Sequence, residues 1–161
     1  MLHTAITAED IASLAEQAFF KTDALIAGCW QRSTDGDTFA VENPATDEVI
    51  ALVANCGAIE TEQAIAAASN ALAGWAQTPA KSRAKILRTW FDLIIENEQN
   101  LARLLTIEQG KPLDEALGEV RYGASYIEWV SEEAKRIYGD VIPAPSADKR
   151  ICTLKQPVGV V

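Results

Sequence analysis

The chain has 161 residues, 23 acidic and 14 basic, giving a formal net charge of −9, with 48% apolar and 23% charged side chains. These values fit one globular domain with a real core and exclude disorder, collagen-like structure and a disulfide scaffold. The acidic balance argues against a nucleic-acid partner: the densest basic cluster, Lys81, Arg83, Lys85 and Arg88, sits on an ordinary amphipathic helix pattern rather than a basic stripe.

Thr7 with Asp10 three residues on predicts a capped first helix, with Ile11, Leu14, Ala15, Ala18 and Phe19 at helical spacing. Ala24–Ala27 and Cys29–Trp30 flank Gly28 and read as strands about a tight turn or bulge. Ser33–Asp37 contains Asp-Gly and reads as a loop, followed by a strand over Thr38–Glu42. Asn43–Asp47 is a second turn, and Glu48 to Ala54 another strand; the short links predict antiparallel neighbours.

From Thr61 the period becomes helical. Thr61 is the expected cap of a helix with Ile65, Ala68, Leu72 and Trp75 on one face. Thr78-Pro79 predicts a cap and first helical residue for the next helix, with Ile86, Leu87, Trp90, Phe91 and Ile94 as its buried stripe. Asn97 caps a third with Leu101, Leu104 and Leu105, ended by Gly110 and Pro112. A fourth is expected from Leu113 to Tyr138, with Val120, Ala124, Ile127, Val130, Ala134 and Ile137 inward and Gly139 as its stop.

Pro143–Asp148 reads as a loop and Arg150–Lys155 as an alternating strand. Val158–Val161 is wholly apolar, the pattern that opens a buried parallel strand. The fold class expected is α/β, or α+β as it stands: antiparallel strands plus a helical layer, ending at that apolar run.

The single histidine, His3, lies beside the chain start, which leaves no basis for a Ser-His-Asp or Cys-His device. Cys29, Cys56 and Cys152 are widely spaced with no CxxC pair, so three reduced thiols are expected and no zinc or redox motif. The nine glycines form neither GxGxxG nor a P-loop. Glu115 with Glu119, and Glu128 with Glu132, are paired carboxylates one helical turn apart, read first as solvated helix faces. Met1–Asp10 has no signal-peptide pattern and no apolar run reaches the ~20 residues of a membrane span, so a soluble cytoplasmic protein is expected.

Several ordered segments resemble the aldehyde dehydrogenase superfamily, specifically its succinate-semialdehyde dehydrogenase branch. They are Leu25-Ile26-Ala27-Gly28-Cys29-Trp30, Asn43-Pro44-Ala45-Thr46, and Thr106-Ile107-Glu108-Gln109-Gly110-Lys111-Pro112-Leu113. A longer block covers Gly118-Glu119 and Ala124–Trp129 and continues over Glu132–Asp140. Ala147–Arg150 and Lys155–Val160 complete the set. The resemblance implies an oxidoreductase that converts succinic semialdehyde to succinate, in 4-aminobutyrate degradation, with NADP or NAD as cofactor of the complete enzyme. In that family a cysteine thiolate attacks the aldehyde carbon, hydride leaves to the nicotinamide, and a glutamate-activated water hydrolyses the thioester.

The resemblance also implies a division of the chain. Residues 1–142 belong to the dinucleotide-binding domain, 143–157 to the first arm of an oligomerisation sheet, and 158–161 to the start of the first cofactor-sheet strand. The family's Cys nucleophile, Glu base and cofactor loop fall after Val161. The chain alone is therefore expected to be non-catalytic, with no catalytic, cofactor-binding or metal residue of its own. Gly118 and Tyr122 match positions that line the family's substrate tunnel. Glu108 matches a position near a structural monovalent cation in some relatives; no ion is assigned to it. The expected partners are succinic semialdehyde and further copies of the chain as a homo-oligomer, with no nucleic acid and no membrane. The alternative is a non-catalytic module that pairs with a full-length dehydrogenase subunit through its 150–161 strands.

Overall fold

A computed structural model describes residues 13, 14, 16, 17 and 19–161. The first helix expected from Thr7 falls mostly outside the described residues; of its apolar positions, Leu14 is buried and Phe19 half-buried.

Among the described residues from Phe20 onward, three two-stranded antiparallel sheets and four helices follow in chain order. β1 (Ala24–Ile26) and β2 (Cys29–Gln31) form a hairpin in which Ile26 faces Cys29. Its two turn residues, Ala27 and Gly28, both have positive φ, 52° and 80°, the backbone that matches the strands' right-handed twist. β3 (Thr38–Glu42) pairs with β4 (Val49–Ala54), with a register shift at Val41/Glu42. Asn43 closes the turn between them: its N–H donates to the Glu48 carbonyl at 2.9 Å, and its Oδ1 accepts the Ala45 N–H at 3.0 Å.

α1 spans Ala58–Gln77, α2 Ala80–Glu96, α3 Glu98–Gln109 and α4 Leu113–Glu133. α4 is the centre of the helical layer, packing on α2 and on α3, while α1 packs against β1. Small buried residues let the axes approach: Ala84 on α2, Ala102 on α3, and Ala116 and Ala124 on α4. Ile107 of α3 is the large side chain fully buried there.

Several expectations are corrected. α1 begins at Ala58 rather than at a Thr61 cap, because the Glu60 carboxylate accepts the Gly57 N–H at 2.8 Å and closes the first turn. Thr78 ends α1, its hydroxyl donating back to the Gly74 carbonyl, so α2 starts one residue later than the Thr78-Pro79 reading. Asn97 is the N-cap residue of α3 as expected, its carbonyl accepting the Leu101 N–H at 3.0 Å, but its side-chain amide donates backwards to the Leu93 carbonyl at 2.8 Å and makes no side-chain cap bond. Gly110 ends α3 as expected, with φ 72°.

The stripes expected to be buried are so only in part. On α2, Leu87, Phe91 and Ile94 are half-buried, whereas Ile86 and Trp90 are exposed, Trp90 by 54%. On α1, Ile65, Ala68 and Trp75 are exposed. α4 stops at Glu133, five residues short of Tyr138, and Val130 and Ile137 are exposed. Two interactions oppose its continuation. Ser131 Oγ donates to the Glu128 carbonyl, and Asp140 leaves the helical path to bond Thr153.

That departure forms the third sheet, β5 (Val141–Ile142) with β6 (Ile151–Cys152). The expected Arg150–Lys155 strand is thus two residues long, with Thr153 bonded to Asp140 beyond it. Val158–Val161 makes no strand pair; Val158 and Val161 are fully open.

Candidate functional site

The outer face of α4 gathers the residues with the clearest ligand-contact chemistry. Gly118, Tyr122, Tyr126 and Trp129 follow at spacings of four, four and three, which stacks them along one side of the helix. Tyr122 and Tyr126 meet edge to face, ring centroids 5.0 Å apart, with their hydroxyls 2.5 Å apart. With Ser125, Trp129 and Glu132 they line an open groove of about 560 Å³. Ser125 Oγ donates to the Tyr122 carbonyl at 2.7 Å, so its hydroxyl serves the helix rather than the groove.

Of the two tunnel candidates, Tyr122 stands in this groove, 63% exposed. Gly118 lies one turn earlier and does not line it; a Cβ there would meet no heavy atom within 4 Å. Tyr126 and Trp129 were not singled out from the sequence, although their spacing from Tyr122 carried the signal.

The groove is aromatic with a phenol pair at its centre. The hydrogen bond it shares with Tyr122, then burial, raises the Tyr126 phenol above its ordinary value, the direction expected when the Tyr126 hydroxyl donates. Glu128 at the groove's edge is tied to Arg88 at 3.0 Å. Such a wall can bind and orient an organic ligand; it holds no nucleophile.

The cysteine thiols are elsewhere and free: Cys29 and Cys152 exposed, Cys56 half-buried. Glu108 borders a small cavity of about 90 Å³ with Phe20, Lys21, Val41 and Leu104, and desolvation raises its carboxyl above the usual range. Among the described residues no group of three His, Cys, Asp or Glu is placed to hold a metal. None of their helices is long and apolar enough to cross a membrane.

Two segments that carry the family resemblance meet in space. The Asn43–Thr46 turn seats against Gly110, where α3 gives way to α4, and so fixes the strand layer to the helical layer. Lys111 just beyond forms an ion pair with Glu119 on the next two turns of α4.

This is the arrangement of the N-terminal part of the aldehyde dehydrogenase fold, and the sequence pattern of the aldehyde dehydrogenase family matches residues 30–161. The chain belongs to that family. It is 54% identical over 147 residues to a glutarate-semialdehyde dehydrogenase of Pseudomonas aeruginosa, covering 91% of this chain and 30% of that protein. It is 51% identical over 147 residues to the NADP(+) succinate-semialdehyde dehydrogenase of Escherichia coli, covering 91% of this chain and 30% of the relative. The crystal structure of an NADP-dependent enzyme of E. coli superposes with a TM-score of 0.84 at 50% identity, covering 91% of this chain and 29% of the other. The chain thus spans about a third of the length of the relatives it matches, at their N-terminal part.

Proposed function

We propose that residues 1–161 supply the N-terminal part of an NAD(P)-dependent, cytoplasmic succinate-semialdehyde dehydrogenase and do not catalyse on their own. The observation that carries this is the unbroken family match over 30–161, joined to half-identity with enzymes named for short carboxylated semialdehydes. Residues 1–142 are read as part of the dinucleotide-binding domain, 143–157 as an arm toward another subunit, and 158–161 as the start of a cofactor-sheet strand.

Within the complete enzyme, α4 would form one wall of the substrate passage, with Gly118 leaving room and Tyr122 setting its width. A glycine at 118 keeps that turn free of any side chain, and the phenol pair gives the aldehyde an uncharged surface to slide along. Among the described residues no glycine-rich loop opens α1, α2, α3 or α4. The cofactor, the thiolate and the carboxylate base are therefore assigned to other parts of the enzyme.

The direct test mixes the purified chain with succinic semialdehyde and NADP, or NAD. No reduced nicotinamide should appear above the protein-free control; turnover that scales with this chain would overturn the reading.

The short β6 and the exposed Leu154 and Val158 beyond it favour a second reading, a module that pairs with a full-length dehydrogenase subunit by edge addition. Co-purification with such a subunit supports it, and a monomer that ignores the subunit contradicts it.

A further inference from the structure

We propose that the groove between the first turns of α2 and the end of α4 binds a compact phosphate-bearing anion of the di- or triphosphate class. Lys81, Lys85 and Arg88, at helical spacing on α2, face Lys135 and Glu132 across a groove of about 460 Å³ that Ser82 also lines. That volume lies in the range of small-ligand sites and exceeds the size of a single phosphate. The groove shares only Glu132 with the aromatic groove of Tyr122, so this inference does not rest on the dehydrogenase reading.

The groove concentrates positive charge in an acidic chain. Four cations face one carboxylate in a molecule whose formal net charge is −9. Outside the groove Lys111 is paired with Glu119, Arg121 with Glu98 and Arg136 with Glu133. Arg88 is matched too, its Nε on Asp92 at 3.1 Å and its Nη1 on Glu128 at 3.0 Å, and the second pair braces α2 against α4. Lys81, Lys85 and Lys135 form no ion pair among the described residues. Lys81 and Lys85 sit four apart, where like charges repel. A ligand anion between them removes that repulsion.

The residue types select the anion. Arginine's planar fork suits carboxylates, but the one arginine here is already engaged by two. The remaining ammonium groups are point charges on flexible stems, which fit tetrahedral phosphate oxygens from several directions. Several unpaired ammonium groups call for more than one negative charge on the ligand. An extended polyanion is disfavoured, because the rest of the acidic surface repels it.

The test titrates pyrophosphate and ADP into the purified chain by calorimetry at low salt. Saturable one-site binding is expected, weakened about tenfold or more in Lys81→Ala/Lys85→Ala, as befits lost charge-assisted bonds, and also weakened in Lys135→Glu on the opposite wall. Lys149→Ala/Lys155→Ala, with lysines outside the groove, should bind as the parent does. Equal affinity for the two probes identifies the pyrophosphate group alone as the ligand; tighter ADP binding identifies a nucleotide. Absence of saturable binding, equal binding by the parent and by Lys81→Ala/Lys85→Ala, or tighter binding of citrate than of pyrophosphate would overturn the proposal.

Discussion

Gly110 backs directly on Pro44: a Cβ built on the glycine would lie 3.0 Å from Pro44 Cγ, and its φ of 72° is a backbone that side chains disfavour. One residue therefore ends α3, turns the chain toward α4 and receives the turn between β3 and β4. Gly110→Ala combines left-handed strain with a clash, and is expected to destabilise the chain by about 1–2 kcal/mol. A shift of the denaturant midpoint without a change in slope would check it; an unchanged midpoint would contradict the contact.

Glu60 is the second long-range clamp. Its carboxylate accepts the Thr34 N–H at 2.8 Å, the Thr34 hydroxyl and the Gly57 N–H, joining the start of α1 to the loop after β2. The Thr34 hydroxyl, then the backbone N–H groups, draw its pKa from 4.5 to about 2. A depressed carboxyl contributes stability that is fully present above the unfolded value and lost as pH falls. Its contribution should therefore be complete above about pH 5 and fade between 4.5 and 2. Glu60→Gln should be less stable than the parent at neutral pH, with the gap closing as the pH falls through that window. A gap that does not change with pH would contradict this.

Ala124, 1% exposed, marks where α4 presses on its neighbours. Ala124→Leu forces added volume into a filled space and should cost about 1–3 kcal/mol, read as a lower melting temperature. The same substitution at Gly118, where a Cβ meets nothing, should leave stability of the chain nearly unchanged.

The local elements were legible in the sequence; what covers them was not. The Ala27-Gly28 hairpin, the Asn43-Pro44 turn and the Gly110 stop follow from backbone chemistry confined to a few residues. The Glu60 cap was missed because its main partner, Thr34, is 26 residues away and Gly57 has no side chain to announce a cap. Helical periodicity identified the stripes on α1 and α2 but not a partner for them, so Trp75, Ile86 and Trp90 are exposed. At the candidate site Tyr122 was legible only through family resemblance. Tyr126 and Trp129 fell on the same face by spacing alone, and only the fold joined them into a groove.

Those exposed stripes have a consequence for the isolated chain. Contiguous apolar surface around Ile86, Trp90 and Leu93 is the kind that promotes association. The purified chain should enhance the fluorescence of an apolar-surface dye and scatter more light as concentration rises. A dye-silent monomer at all concentrations would contradict this.

Transplanting the chain tests the central claim most directly. Residues 15–161 replace the matching N-terminal segment of the E. coli succinate-semialdehyde dehydrogenase, and kcat/KM for succinic semialdehyde with NADP is measured. The account predicts a soluble chimera within about tenfold of the parent, a barrier change of about 1.4 kcal/mol. It further predicts a raised KM when Tyr122→Ala is added. A soluble chimera that binds NADP yet turns over no semialdehyde would contradict it.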